Sequence, residues 1–78
     1  MEKSTVRKEA ARSARRGLHR TLVLEAAERV FAESGYEGAR MQDVANEAGL
    51  ALATVYATFR SKEEIFAAIH ELRGRALL

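Results

Sequence analysis

Between Leu18 and Phe31 the apolar residues recur in steps of three and four. Val23, Ala26, Ala27, Val30 and Phe31 share one face of a helix, and Leu18 and Leu22 extend it backward. Glu25, Glu28, Arg29 and Glu33 fall off that stripe. Gly35 follows as a left-handed helix stop, so the pattern predicts helix one over 18–34. Tyr36 then reads as a core anchor with its hydroxyl near the surface. Met41, Val44, Ala45 and Ala48 predict helix two over 41–48, ended by Gly49. Ala45 is small enough to let another helix approach closely. Leu50 sits in the turn, and Val55 and Phe59 face inward from a third helix over 52–59. Ser61 and Glu64 have the spacing of a capping box at the start of a fourth helix, 62–78. Glu63 and Glu64 lie at the positive end of that helix dipole. Ile65, Phe66, Ile69 and Leu72 form its apolar stripe, and Arg73 and Arg75 stand toward its C-terminal end. No period-two alternation is present. The expected fold is all-α, a small helical bundle.

Composition narrows the picture. A chain of 78 residues holds one domain with a limited core. It has no Cys, so neither disulfides nor a thiolate metal site supplements that core, and no Pro interrupts its helices. His19 and His70 lie far apart, so neither a metal site nor a cofactor is expected. The N-terminus lacks the apolar run of a signal peptide, and no stretch is apolar enough to span a bilayer. A cytoplasmic protein without membrane association is the expectation.

The net charge of +2 hides an asymmetry. Residues 1–20 carry seven Lys and Arg against two Glu, a net of +5, while residues 21–78 carry six against nine, a net of −3. Residues 1–17 contain only Met1 and Val6 as large apolar residues and read as a basic arm ahead of a domain over 18–78, flexible when free, with helix an option near its end. Such an arm suits a polyanion, or it is simply a solvated tail.

Residues 40 to 62 run short helix, Gly turn, short helix, capped helix start. Two short helices around a Gly turn form the layout that places one helix in a DNA major groove. Four segments then occur in order: Phe31-Ala-Glu-Ser-Gly-Tyr36, Gln42-Asp-Val-Ala-Asn-Glu-Ala-Gly49, Thr54-Val-Tyr56 and Phe59-Arg-Ser-Lys62-Glu63. Together they strongly resemble the N-terminal domain of the TetR family of transcriptional regulators. The resemblance covers roughly Leu22 to Leu72. It implies a homeodomain-like, helix-turn-helix domain that binds double-stranded operator DNA as a homodimer. It further implies a bacterial repressor, associated with the nucleoid when bound. A larger C-terminal part, absent from these residues, would bind a small ligand and supply the dimer contacts.

The resemblance assigns site residues by position. Tyr56 matches a Tyr that reaches a phosphate and fixes the helix without reading bases, though it also suits a core Tyr. Lys62 matches a Lys at the start of helix four, where ammonium and helix dipole both attract phosphate; otherwise it is a solvated Lys. Thr54 offers a hydroxyl to a phosphate and a methyl to thymine. Gln42 can pair with adenine or face solvent, and Arg40 is a phosphate candidate by charge and position. Arg12, Arg15, Arg16 and Arg20 suit phosphates or an adjacent minor groove.

Ala51, Leu52, Ala53, Ala57 and Thr58 depart from the family pattern, which commonly has Ser, Lys and Gly, then His and Tyr. Ala51 removes a helix cap, at a cost of about 1 kcal/mol. Leu52 and Ala53 cannot hydrogen-bond a base edge but can touch thymine methyls. Leu52 can instead pack on helix two. Ala57 and Thr58 shorten the reach of the helix, with Thr58 retained among the DNA candidates. Asp43, matching a family Asp, suits a structural role at the helix start. No carboxylate pair, no nucleophile beside a base and no phosphate-binding Gly loop is visible, so an enzyme is not expected. The apolar Leu52-Ala53 pair leaves one rival: a helix-turn-helix bundle that docks on a partner protein.

Overall fold

The computed structural model describes residues 2–76. Four helices follow one another: α1 (Glu2–Gly38), α2 (Met41–Ala48), α3 (Leu52–Thr58) and α4 (Lys62–Ala76). No strand occurs among the described residues, and the fold is all-α. α1 packs against each of the other three helices, and α2 packs against α3.

The first helix begins far earlier than the apolar stripe indicates. Residues 2–17, expected as a flexible arm, continue α1 without a break. Ala10, Ala11, Ala14 and the Arg and Lys residues around them are strong helix formers. At Gly17 the Thr21 hydroxyl donates to the Gly17 carbonyl at 3.0 Å. Val6 through Leu18 are all exposed, so propensity and backbone hydrogen bonds shape this stretch rather than packing. Leu18 is 56% exposed and adds nothing to the core.

α1 turns off its path at Gly35, where φ is 75° and ψ 159°. That region is accessible in practice to glycine alone. The chain then folds back, and the Tyr36 ring meets Phe31 edge-on at 5.4 Å. The Ala39 amide donates to the Tyr36 carbonyl at 3.3 Å and closes the turn. Gly49 ends α2 in the left-handed region, φ 69° and ψ 30°. Its amide reaches the Asn46 carbonyl at 3.2 Å, and Leu50 reaches Ala45 at 3.0 Å. Those bonds satisfy carbonyls that the helix end would otherwise leave unpaired.

The core is built from Val23, Leu24, Ala26, Ala27 and Val30 of α1, Val44 and Ala45 of α2, and Val55 of α3. Phe59 and α4's Ile65, Ala68 and Ile69 close it. Its many alanines let the helix axes approach closely. Val23, Val44, Val55 and Ile65 are fully buried, each worth about 1.5–3 kcal/mol. No polar side chain is buried among the described residues. On α4 the buried stripe is rotated from the expected one. Ala68 joins Ile65 and Ile69, whereas Phe66 and Leu72 are exposed. Phe66 instead lies over the outer edge of α1, its ring 5.0 Å from Tyr36 and 6.2 Å from Phe31.

Gly35→Ala should lower stability by about 1–3 kcal/mol, because alanine strains where Gly35 sits. Gly17→Ala should act oppositely and raise helical content, since Gly17 is helical and no atom lies within 4 Å of the added carbon. Urea unfolding tests the first and far-ultraviolet circular dichroism the second.

Candidate nucleic-acid interface

α3 has seven residues, buries Val55 and exposes Ala53, Tyr56 and Ala57. Its first turn starts from Ala51 in an extended conformation without a side-chain cap. Phe59 ends it, with its amide donating to the Val55 carbonyl at 2.8 Å. Beside the exposed face of α3 runs an open groove of about 580 Å³. Arg16, His19 and Arg20 of α1 form one wall, and Ala53, Thr54, Ala57 and Thr58 of α3 form the other. Arg20 also lays its guanidinium 5.0 Å from the centroid of the Phe59 ring, a cation–π contact that ties this wall to the core.

The structure thus brings Arg16, Arg20, Ala53, Thr54 and Thr58 together, and adds His19 and Ala57 to the site candidates. The signal for His19 was present in the sequence, because it lies one helical turn from Arg15 and Arg16. Arg12 and Arg15 are exposed farther out on α1. Tyr56 is 48% exposed on α3 and does not line the groove. The Thr58 hydroxyl donates to the Thr54 carbonyl at 3.0 Å, so its proton is used within the helix. Arg40 and Gln42 flank the start of α2 and do not line the groove. The Arg40 amide donates to the Asp43 carboxylate at 3.1 Å, which gives Asp43 a capping role. The Gln42 amide donates to the Asn46 side-chain oxygen at 2.9 Å on the exposed face of α2.

Of the two placements open to Leu52, the structure has it half-buried and packed against the core. Burying its side chain is more favourable than leaving it in water at the helix start. Lys62 is not a solvated side chain in the structure. Its ammonium donates to the carbonyls of Tyr36 at 2.8 Å and of Glu37 and Ala39 at 3.3 Å. It also lies 4.5 Å from the centroid of the Tyr36 ring. An ammonium has three donors, and here all three serve the C-terminal end of α1. That end carries partial negative charge and carbonyls with acceptor capacity to spare, so a cation is favourable there.

Glu63, the next residue, reinforces this junction. Its carboxyl is held below the usual value of 4.5, chiefly by a backbone hydrogen bond. Ser61, Tyr36 and Lys62 add to that effect against an opposing cost of desolvation. Tyr36 is pushed the other way, up from 10.0, by burial and then by the Glu63 charge. At the start of α4 the Glu64 amide donates to the Ser61 hydroxyl oxygen at 3.2 Å, and the Arg60 amide donates to the Glu64 carboxylate at 2.8 Å.

Residues 23–69, more than half of the chain, match the model of the bacterial regulatory proteins of the tetR family. The chain belongs to that family. It is similar to two uncharacterized HTH-type transcriptional regulators of Bacillus subtilis (strain 168). It is 42% identical to YezE over 45 residues, which cover 58% of this chain and 23% of YezE. It is 45% identical to YfiR over 49 residues, which cover 63% of this chain and 24% of YfiR. The matched stretch spans about a quarter of the length of either relative. No solved structure matches the chain.

Lys62→Met keeps the aliphatic stem and removes the donors. It should lower unfolding free energy by about 1–3 kcal/mol. It should leave the salt slope of DNA binding unchanged, whereas loss of a phosphate ligand reduces that slope by about 0.9. Glu63→Gln tests the neighbouring charge. Folding lowers the Glu63 pKa, so its contribution is present above the unfolded value of 4.5 and is lost as pH falls through the folded value. Glu63→Gln should therefore melt below the parent chain at about pH 7, and the two should converge once pH has fallen below the folded value.

Proposed function

We propose that this domain binds duplex DNA sequence-specifically and represses transcription as part of a longer regulator. α3 enters the major groove. Tyr56 places its hydroxyl on a phosphate, and Thr54 and Ala53 meet base edges or thymine methyls. Arg40 and Gln42 meet the DNA at the start of α2. Arg16 and Arg20 hold phosphates beside α3, with Arg12 and Arg15 farther along α1. The observation that carries this reading is the groove in which α1 cations face the exposed side of the second helix of a helix-turn-helix.

The role is binding rather than catalysis. It requires no cofactor and takes place in the cytoplasm, on nucleoid DNA. Among the described residues no helix is long and apolar enough to cross a membrane. Two copies joined through a further region would read half-sites about 34 Å apart. The rival reading, a protein-docking module, drew on an apolar Leu52-Ala53 pair. With Leu52 packed on the core, that pair is not an exposed patch.

Selection on randomised duplexes, followed by fluorescence anisotropy on the winning sequence, tests the proposal. Tyr56→Phe should weaken binding about three- to tenfold on preferred and altered duplexes alike, the loss of one phosphate hydrogen bond. Gln42→Ala should relax preference at one base position by about 1–3 kcal/mol. Unchanged affinity and preference in both variants would remove these residues from the interface. Absence of any preferred sequence would defeat the proposal.

A further inference from the structure

One face of α1 can be followed without interruption. In steps of three and four it runs backward from Val30 through Ala27, Ala26 and Val23. It continues through His19, Arg16, Arg15 and Arg12 to Lys8. Val30 to Val23 are buried, His19 is half-buried, and Arg16 to Lys8 are exposed. The apolar stripe therefore becomes a cationic stripe where the helix leaves the bundle, and both halves point the same way. The direction is fixed by a second observation, since Arg16, His19 and Arg20 form the groove wall facing α3.

The stripe lacks internal compensation. Cations three and four apart on a helix repel one another, and Glu9 is the sole carboxylate between Val6 and Leu24. None of the salt bridges among the described residues involves residues 6–20. The bundle pairs Arg29 with Glu47, Arg73 with Glu28 and Arg75 with Glu71. A cationic row left unpaired in one direction fits an external row of anions.

We propose that the first five turns of α1 act as a rigid helical ruler. It lies along the phosphates flanking the site that α3 reads and lengthens the footprint by its own reach. From Arg20 to Lys8 that reach is about 18 Å, close to half a turn of duplex. This rests on the DNA-binding reading but adds a property that a flexible tether lacks. The contribution depends on the rotational phase between stripe and bundle.

Insertions between Arg15 and Arg16 of the 78-residue chain test that phase, because they leave the groove wall of Arg16, His19 and Arg20 in place. Two alanines turn the stripe by about 200°, while four return it to within about 40° and move it out by about 6 Å. Each chain is titrated with a short duplex obtained by selection and with the same duplex extended by about one helical turn at both ends. Circular dichroism and melting confirm that all chains keep the helix and the bundle.

For the parent chain, extension should tighten binding at least tenfold at low salt and steepen the salt slope by about 3. The two-alanine chain should bind the short duplex as the parent does and lose the gain from extension. The four-alanine chain should recover most of it. Equal behaviour of the two insertions, or no gain from extension in the parent, overturns the ruler while leaving the α3 reading intact. Failure of the parent to bind the short duplex overturns the DNA reading itself and the ruler with it.

Discussion

Lys62 closes the end of α1, and the arrangement of the other helices follows from that closure. A helix ends with carbonyls that have no partner. Here they belong to the helix that touches every other one. Gly35 turns the chain sharply there, so the ordinary capping pattern is not available. A side chain from α4 supplies the donors instead, and the Tyr36 ring and Glu63 complete the junction. The start of α4 and the entry to α2 are thereby fixed to one point. The α2–α3 pair hangs from that point, so the placement of α3 depends on a contact outside the helix-turn-helix.

The domain separates its forces by location. Its interior is wholly apolar among the described residues, rich in alanine, and small. Stability in such a core comes from close approach rather than from large side chains, and few kilocalories are in reserve. The pairs Arg29–Glu47 and Arg73–Glu28 cross between helices at the surface, where ion pairs add little. The turn geometry at Gly35 and Gly49, with the Lys62 junction, sets the relative helix directions more strongly than charge does.

The sequence displays most of the bundle. The stripes of α1 and α2, Gly35, Gly49 and the Ser61–Glu64 cap are local patterns, and local patterns can be read directly. The rest depends on distant partners. A Lys at a helix start looks like an anion site, because its own dipole is all that sequence shows; the carbonyls it serves lie 23 to 26 residues away. Leu52 looks like a surface residue until its neighbours are known. Phe66 and Ala68 exchange expected places because a hydrophobicity ranking favours the larger side chain, whereas the space against α1 admits the smaller. Residues 2–17 lack an apolar face, and helix formation there rests on propensity alone. Of the interface, the α3 positions and the arginines could be nominated from sequence, but the groove that joins them could not.

α1 changes character near residues 19–22, from a buried face to an exposed one. On the bundle side, substitutions are judged by volume, since Ala26 and Ala27 have no room to grow. On the outer side they are judged by charge and helix propensity alone. The same helix is thus open to two independent kinds of evolutionary change. Its outer turns can drift in number and charge, altering how strongly the protein is held, while the inner turns keep the fold constant.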